Sequence, residues 1–139
     1  MKVKFFILII SIFSLFSFSG EKSKIGQDRI IAYYFHTTYR CPTCLKIENL
    51  SKKTIEKYFS KELKENIIVF MPVNVELPEN RHFINDYQLY TKSLIFSIFK
   101  DGKEKMWKNL DKVWLKVRNE KDFENYVKEE MDNFLKGLK

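Results

Sequence analysis

The sequence is poor in cysteine, proline and glycine: its 139 residues include two, three and four of them, respectively. So little proline and glycine, against 45% hydrophobic residues, excludes collagen-like, linker-like and disordered chains. Two cysteines are too few for a scaffold held together by disulfide bonds, which a chain of this length does not need for stability. We therefore expect one ordered α/β domain, in which the spacing of the cysteines is more informative than their number.

The first twenty residues contain two lysines, no acid and an apolar run from Phe5 to Phe18. This run is shorter than the roughly 20 apolar residues that span a bilayer, but it suits the hydrophobic region of an export signal. We expect residues 1–19 to be a signal peptide, or a membrane anchor if the leader is not cleaved. Residues 20–28 would be a polar segment and residues 29–138 the folded domain, in a periplasmic or other extracytoplasmic location.

Positive charge is in excess but is not clustered. The formal net charge is +7, yet the 25 lysines and arginines are interleaved with 18 acids along the chain. Nucleic-acid-binding surfaces need clustered positive charge, so we expect no nucleic-acid partner and a mixed, solvated surface.

Hydrophobic periodicity predicts the element order β-α-β-α-β-β-α. The continuous apolar run 29–35 indicates a central strand covered on both faces, and a helix with one apolar stripe starts near Cys44. Because helix crossovers make neighbouring strands parallel and a hairpin makes them antiparallel, we expect a mixed sheet with helices on both faces. The later predicted elements are strand 67–75 with Pro72 at an edge or bulge, helix 79–87, strand 93–99, an Asp-Gly turn, strand 104–107, an amphipathic segment 110–117 and a final helix capped by Asn119.

The only two cysteines, Cys41 and Cys44, lie two residues apart between the first predicted strand and helix. A helix N-terminus carries free N–H groups and partial positive charge, and together with the cation of Arg40 it favours a thiolate at Cys41. Cys44, one turn further in, is expected to be more buried and to keep its proton. Pro42 stiffens the first turn, and Thr43 completes the motif.

A Cys-x-x-Cys motif after the first strand of such a chain resembles the thioredoxin superfamily, over roughly residues 29–138. The Cys-Pro-x-Cys form is similar to that of glutaredoxins and periplasmic disulfide oxidoreductases. The stretch 33–44 also resembles small exported proteins named as a nitrophenyl-compound nitroreductase subunit of the ArsF kind. The resemblance implies an exported thiol–disulfide oxidoreductase in which Cys41 is the nucleophile and Cys44 resolves the mixed disulfide. Its partners would be protein or small-molecule thiols and disulfides, with a membrane redox protein as a further candidate, and we expect no cofactor.

Two features of the family's pattern are missing. Members usually have a cis-proline before the third strand, but residues 91–94 contain no proline, so we expect a trans peptide bond and a differently shaped substrate groove. Thioredoxins also have a buried acid in the first strand, and residues 29–35 hold none. Glu48, four residues after Cys44, is the candidate to replace it, although a surface glutamate is the simpler interpretation. Tyr39 is the candidate for docking a peptide beside the motif.

Other interpretations of the cysteines stay open at this point. A structural disulfide would close too small a loop to stabilise the fold much. A metal or cluster site would need Cys41, Cys44, His36 and His82 to converge. Haem attachment is disfavoured because Leu45 stands where a histidine would have to follow. The chain could also be a non-catalytic subunit of an exported or membrane-associated complex, because one fold hosts many functions.

Overall fold

The computed structural model describes residues 26–139, so the predicted leader 1–19 and most of the polar segment 20–28 lie outside the described residues. The strands are Arg29–His36 (β1), Ile68–Asn74 (β2), Ser93–Lys100 (β3) and Lys103–Asn109 (β4). The helices are Pro42–Tyr58 (α1), Ser60–Lys64 (α2), His82–Asp86 (α3), Val113–Lys116 (α4) and Glu120–Leu138 (α5), with a 3-10 turn at Pro78–Asn80.

The four strands form one mixed sheet in the order β2-β1-β3-β4. β1 is an inner strand, parallel to β2 and antiparallel to β3, and β3 continues into β4 through a hairpin. The predicted central position of the first strand is therefore confirmed. Pro72 lies in the edge strand β2, opposite Tyr34, where its missing N–H is tolerated because, within residues 26–139, one side of β2 has no neighbouring strand.

The direction of β3 departs from the rule that helical connections join parallel strands. The predicted helix 79–87 is split into the 3-10 turn and α3, which has five residues and is about 8 Å long. A strand of seven residues spans about 23 Å, so this connection is too short to return the chain to the other end of the sheet. β3 consequently starts beside the end of β1, with Ser93 opposite Phe35, and runs antiparallel to it.

The predicted Asp-Gly hairpin is confirmed. Asp101 and Gly102 both have positive φ, 53° and 73°, as a two-residue turn with right-handed strand twist requires. The Asp101 N–H donates a hydrogen bond to a carboxylate oxygen of Asp28 at 3.1 Å, which ties this turn to the residue preceding β1.

Helices cover both faces of the sheet, as predicted. Alternate β1 residues point to opposite faces, so Ile30, Ala32 and Tyr34 pack under α1, α4 and α5. Tyr33 and Phe35 belong to a second cluster, which includes Tyr87 just after α3. The aromatic and aliphatic content of the first strand therefore supplies two cores, one on each face.

The two long helices, α1 and α5, each bury one set of apolar residues, and for α1 this confirms the predicted apolar stripe. The last two apolar residues of the pattern that starts near Cys44 differ: Tyr58, where α1 ends, is 39% exposed, whereas Phe59 after it is buried in the core, as that pattern predicts. The short helix α2 is not anticipated by the pattern. Asn119 caps α5 as predicted, since its side chain accepts a hydrogen bond from the Asp122 N–H at 3.3 Å. Among residues 26–139, no helix has both the length and the apolarity needed to cross a bilayer.

Candidate redox site

Cys41 and Cys44 form a disulfide at the N-terminus of α1, with their Cα atoms 5.0 Å apart. The helix begins at Pro42, slightly earlier than predicted, because proline's fixed φ and missing N–H suit the first helical position. Cys41 is the N-cap residue, and its sulfur accepts a hydrogen bond from the Cys44 N–H at 3.1 Å. A sulfur atom thus takes the position that Ser, Thr, Asn or Asp side chains usually occupy at a helix start.

The two sulfur-bearing residues differ in exposure. Cys44 is 1% exposed and faces the core, whereas Cys41 is half-buried. Pro42 and Thr43 between them are exposed. A reagent from solvent therefore has access to the motif at Cys41, which matches the predicted difference between the two cysteines.

Tyr34 holds the motif to the sheet, a role that its place in the apolar run 29–35 does not predict. Its hydroxyl donates a 2.7 Å hydrogen bond to the carbonyl oxygen of Cys44, across ten residues of chain. Burial raises the pKa of Tyr34 to about 12, and the charge of Arg40 offsets this only in part. Tyr34 is therefore a protonated donor throughout the neutral range.

Arg40 connects β1 to α1 beside the motif. Its guanidinium forms an ion pair with Glu48, and its Nη1 lies 3.4 Å from Nε2 of His36. His36 Nδ1 lies 2.9 Å from the carbonyl oxygen of Thr37, which can only accept. Nδ1 is consequently the donor and Nε2 the acceptor in this arrangement. Glu48, the candidate to replace the family's buried acid in proton transfer at Cys44, is instead paired with Arg40.

The four residues of the metal alternative are not brought together. Cys41 and Cys44 are bonded to each other. His82 Nδ1 lies 2.7 Å from a carboxylate oxygen of Asp86 within α3, while His36 contacts Arg40. Within the described part of the chain, no three side chains of His, Cys, Asp or Glu form a group that could hold a metal ion.

The loop before β3 lacks a cis peptide bond, as do all of residues 26–139, so the predicted trans geometry is confirmed. Two carbonyl groups of this loop accept hydrogen bonds from side chains: Ser93 Oγ donates to that of Thr91 at 2.9 Å, and Nε1 of Trp114 in α4 donates to that of Lys92 at 3.1 Å. Beside the loop, a cavity of about 240 Å³ is lined by Phe35, His36, Thr37, Val75, Ile84, Leu89, Tyr90, Thr91 and Lys92.

Tyr39 is 75% exposed, and its peptide-docking role stays a prediction.

No family model and no curated protein matches the chain. Among solved structures, it is similar to the germline-specific thioredoxin Deadhead from Drosophila melanogaster, at 20% identity and a TM-score of 0.39, over 58% of this chain and 67% of that one. It is also similar to an Entamoeba histolytica thioredoxin mutant, at 17% identity and a TM-score of 0.43, over 76% and 85% of the two chains. A Fasciola hepatica thioredoxin matches at 20% identity and a TM-score of 0.33, over 66% and 81%.

These similarities are distant, so the fold assignment rests on the chain's own strand order and directions. A mixed sheet in which a β-α-β unit is followed by an antiparallel hairpin and a C-terminal helix is a thioredoxin-like fold. The Cys-Pro-Thr-Cys disulfide lies at the N-terminus of its first helix. None of these neighbours supports the narrower resemblance to nitroreductase subunits.

Proposed function

We propose that the chain is a thiol–disulfide oxidoreductase that exchanges disulfides with protein or small-molecule thiol partners through Cys41 and Cys44. The observation that carries this proposal is the difference in exposure within the disulfide, which has a half-buried Cys41 at a helix N-terminus and a buried Cys44 one turn further in. An accessible sulfur beside an inaccessible one suits a two-step exchange.

In the oxidising direction, a partner thiolate attacks the accessible Cys41 sulfur. The Cys41–Cys44 bond breaks, a mixed disulfide between the partner and Cys41 forms, and Cys44 leaves as a thiolate that takes a proton from solvent. A second partner thiolate then attacks the partner's sulfur in the mixed disulfide and releases Cys41 as a thiolate. Two electrons pass from the partner dithiol to the protein, and the partner becomes a disulfide.

In the reducing direction, the same steps run backwards. The Cys41 thiolate attacks a partner disulfide, and Cys44 then attacks the Cys41 sulfur and releases the partner as a dithiol. The N-terminus of α1 favours the Cys41 thiolate through its partial positive charge, and the Cys44 N–H already points at the Cys41 sulfur at 3.1 Å. Pro42 keeps this first turn rigid, since its φ is restricted by its ring.

Export is part of the proposal. The basic start and the apolar run of residues 1–19 support an export signal, and a disulfide-exchange protein suits an extracytoplasmic compartment. The mass of the protein recovered from the cell envelope tests this directly: a chain starting at Gly20 is expected, and an intact leader would indicate an anchor instead. Recovery from the cytosol with the leader intact would contradict export.

The experiment that tests the activity traps the mixed disulfide. Incubation with a glutathione disulfide substrate is expected to leave a stable adduct on Cys41 in the Cys44→Ser variant, because the resolving thiol is absent. The matched Cys41→Ser variant should trap little, because its remaining thiol is buried. The unmodified protein, equilibrated in glutathione buffers, should show a two-electron couple between roughly −270 and −120 mV, the range that thioredoxin-like motifs cover. Equal trapping on both variants, or no measurable couple, would contradict the proposal.

A further inference from the structure

The residues of the Arg40–Glu48 ion pair lie on either side of the Cys41–Cys44 motif in the chain. Arg40 immediately precedes Cys41, and Glu48 follows Cys44 by one turn of α1. The two side chains are 23% and 20% exposed. Nε and Nη2 of Arg40 and Oε2 of Glu48 are closed to solvent, and none of the three has a hydrogen-bond partner outside the ion pair among residues 26–139. The two charges therefore depend on each other.

Arg40 is also held from the side of the sheet. His36, the last residue of β1, presents Nε2 to Nη1 of Arg40 at 3.4 Å, and its own Nδ1 is occupied by the Thr37 carbonyl. Within the described part of the chain, the charged and titratable groups shown to interact with Arg40 are Glu48 on α1 and His36 and Tyr34 on β1. With contacts on two sides, the guanidinium is fixed relative to the start of α1.

The position of this cation matters for the chemistry of Cys41. A free guanidinium next to the motif would stabilise a thiolate, as the helix N-terminus does. A carboxylate in contact with it cancels most of that effect, because a paired cation and anion act at a distance as a dipole and not as a charge. The residue immediately before Cys41 consequently belongs to a neutral pair.

We propose that Glu48 is a positioning residue that neutralises Arg40, and that it thereby limits thiolate formation at Cys41 and keeps the Cys41–Cys44 couple more reducing than an unpaired Arg40 would allow. The proposal rests on the proposed function, since it concerns the reduction potential of the same Cys41–Cys44 couple. It assigns Glu48 a role different from proton transfer at Cys44, because its carboxylate is committed to Arg40.

The test measures the alkylation rate of the reduced full chain against pH with iodoacetamide, with the adduct located at Cys41 by mass spectrometry. Glu48→Gln should move the midpoint of the profile to lower pH and raise the rate below the midpoint about three- to tenfold, since one pH unit corresponds to a tenfold change in thiolate fraction. Arg40→Gln should move the midpoint to higher pH, because it leaves the Glu48 carboxylate without a cation. Arg40→Lys, which keeps the positive charge, should bring the midpoint part of the way back to that of the unmodified protein.

The charge-neutral double variant, with both residues changed to glutamine, should return to within about twofold of the unmodified protein, since the removed charges cancel. Glu56→Gln is the matched control: the same substitution on the same helix removes the partner of Lys52, 3.8 Å away, and should leave the profile unchanged. Above the alkylation midpoint, a tenfold stabilisation of reduced Glu48→Gln corresponds to about 30 mV toward a more oxidising potential.

A purely structural ion pair would not shift the alkylation midpoint in opposite directions in Glu48→Gln and Arg40→Gln. An unchanged midpoint in Glu48→Gln, or shifts of the same sign in both single variants, would overturn the proposal. If Glu48→Gln does not fold, as urea unfolding would show, the double variant decides: its alkylation midpoint should lie below that of Arg40→Gln, and equal midpoints would overturn the proposal. If the Cys41–Cys44 couple is measurable but its properties do not change in Glu48→Gln, only the positioning role is refuted. If no couple is measurable, the proposed function is refuted.

Discussion

Removal of a single hydroxyl at Tyr34 tests how the cysteine motif is attached to the sheet. In Tyr34→Phe, the buried ring stays and only the 2.7 Å hydrogen bond to the Cys44 carbonyl is lost. That carbonyl lies within α1, where the amide four residues on is its regular partner, so it is not left wholly unpaired. We expect a loss of about 1 kcal/mol in the free energy of unfolding, within the ~0.5–1.5 kcal/mol that a protein hydrogen bond typically contributes.

Urea unfolding followed by circular dichroism measures this loss. With a slope of roughly 1–3 kcal/mol per molar urea, the midpoint should fall by about 0.3–1 M. The loss should be similar in the oxidised and reduced proteins, because the bond is made to the backbone of Cys44 and not to its sulfur.

The matched control is Tyr126→Phe, which removes a hydroxyl from another buried tyrosine. Burial raises its pKa to about 12 as well, but no hydrogen bond contributes to that shift. We expect a change within about 0.5 kcal/mol, as for substitutions that remove no specific interaction. Equal effects of the two substitutions, or a stabilised Tyr34→Phe, would refute the inference that Tyr34 anchors the motif.

Three further predictions concern stability. Asn119→Ala should lower the free energy of unfolding by about 0.5–2 kcal/mol, because the Asp122 N–H loses its capping acceptor; an unchanged urea midpoint would contradict this. Phe123→Ala should cost about 3–5 kcal/mol in the same assay, since this side chain of α5 is fully buried in the core, and a cost below that of the cap variant would be inconsistent with this packing. Stability should also fall as the pH rises from 10 to about 12. These are the pKa values of tyrosine in the unfolded chain and of Tyr34 and Tyr126 in the folded protein, so both residues release their protons at lower pH when unfolded. Unfolding measured between pH 9 and 12 should show a weaker dependence in the double Phe variant, and an identical dependence would contradict the burial argument.

Local patterns in the sequence were enough to predict most of the elements. The apolar run of β1 indicated a strand covered on both faces, since nearly every residue there has to be buried. Asp101 and Gly102 indicated the hairpin because few residues adopt two successive positive φ angles. Asn119 marked the start of α5 because its short side chain reaches back to a free N–H. Each of these signals depends only on residues a few positions apart.

The candidate site was predicted in part. Cys41 and Cys44 were recognised from their spacing, and the half-buried first cysteine and buried second one follow from a helix that starts between them. Tyr34 was not recognised, because a tyrosine in an apolar strand has the same pattern whether or not its hydroxyl meets a partner. The role of Glu48 was not resolved either, since its spacing from Cys44 fits several partners.

The sequence by itself determined most of the elements, the hairpin and the chemistry available at Cys41 and Cys44, because backbone preferences and burial patterns act over short stretches of chain. Only the tertiary structure decided that β3 runs antiparallel to β1, that His82 pairs with Asp86 away from the cysteines, and that Arg40 is neutralised by Glu48. These outcomes depend on how far a connection can reach and on which side chains meet when helices pack on the sheet. A local periodicity encodes neither the reach of a connection nor the contacts between distant side chains, since both depend on the whole fold.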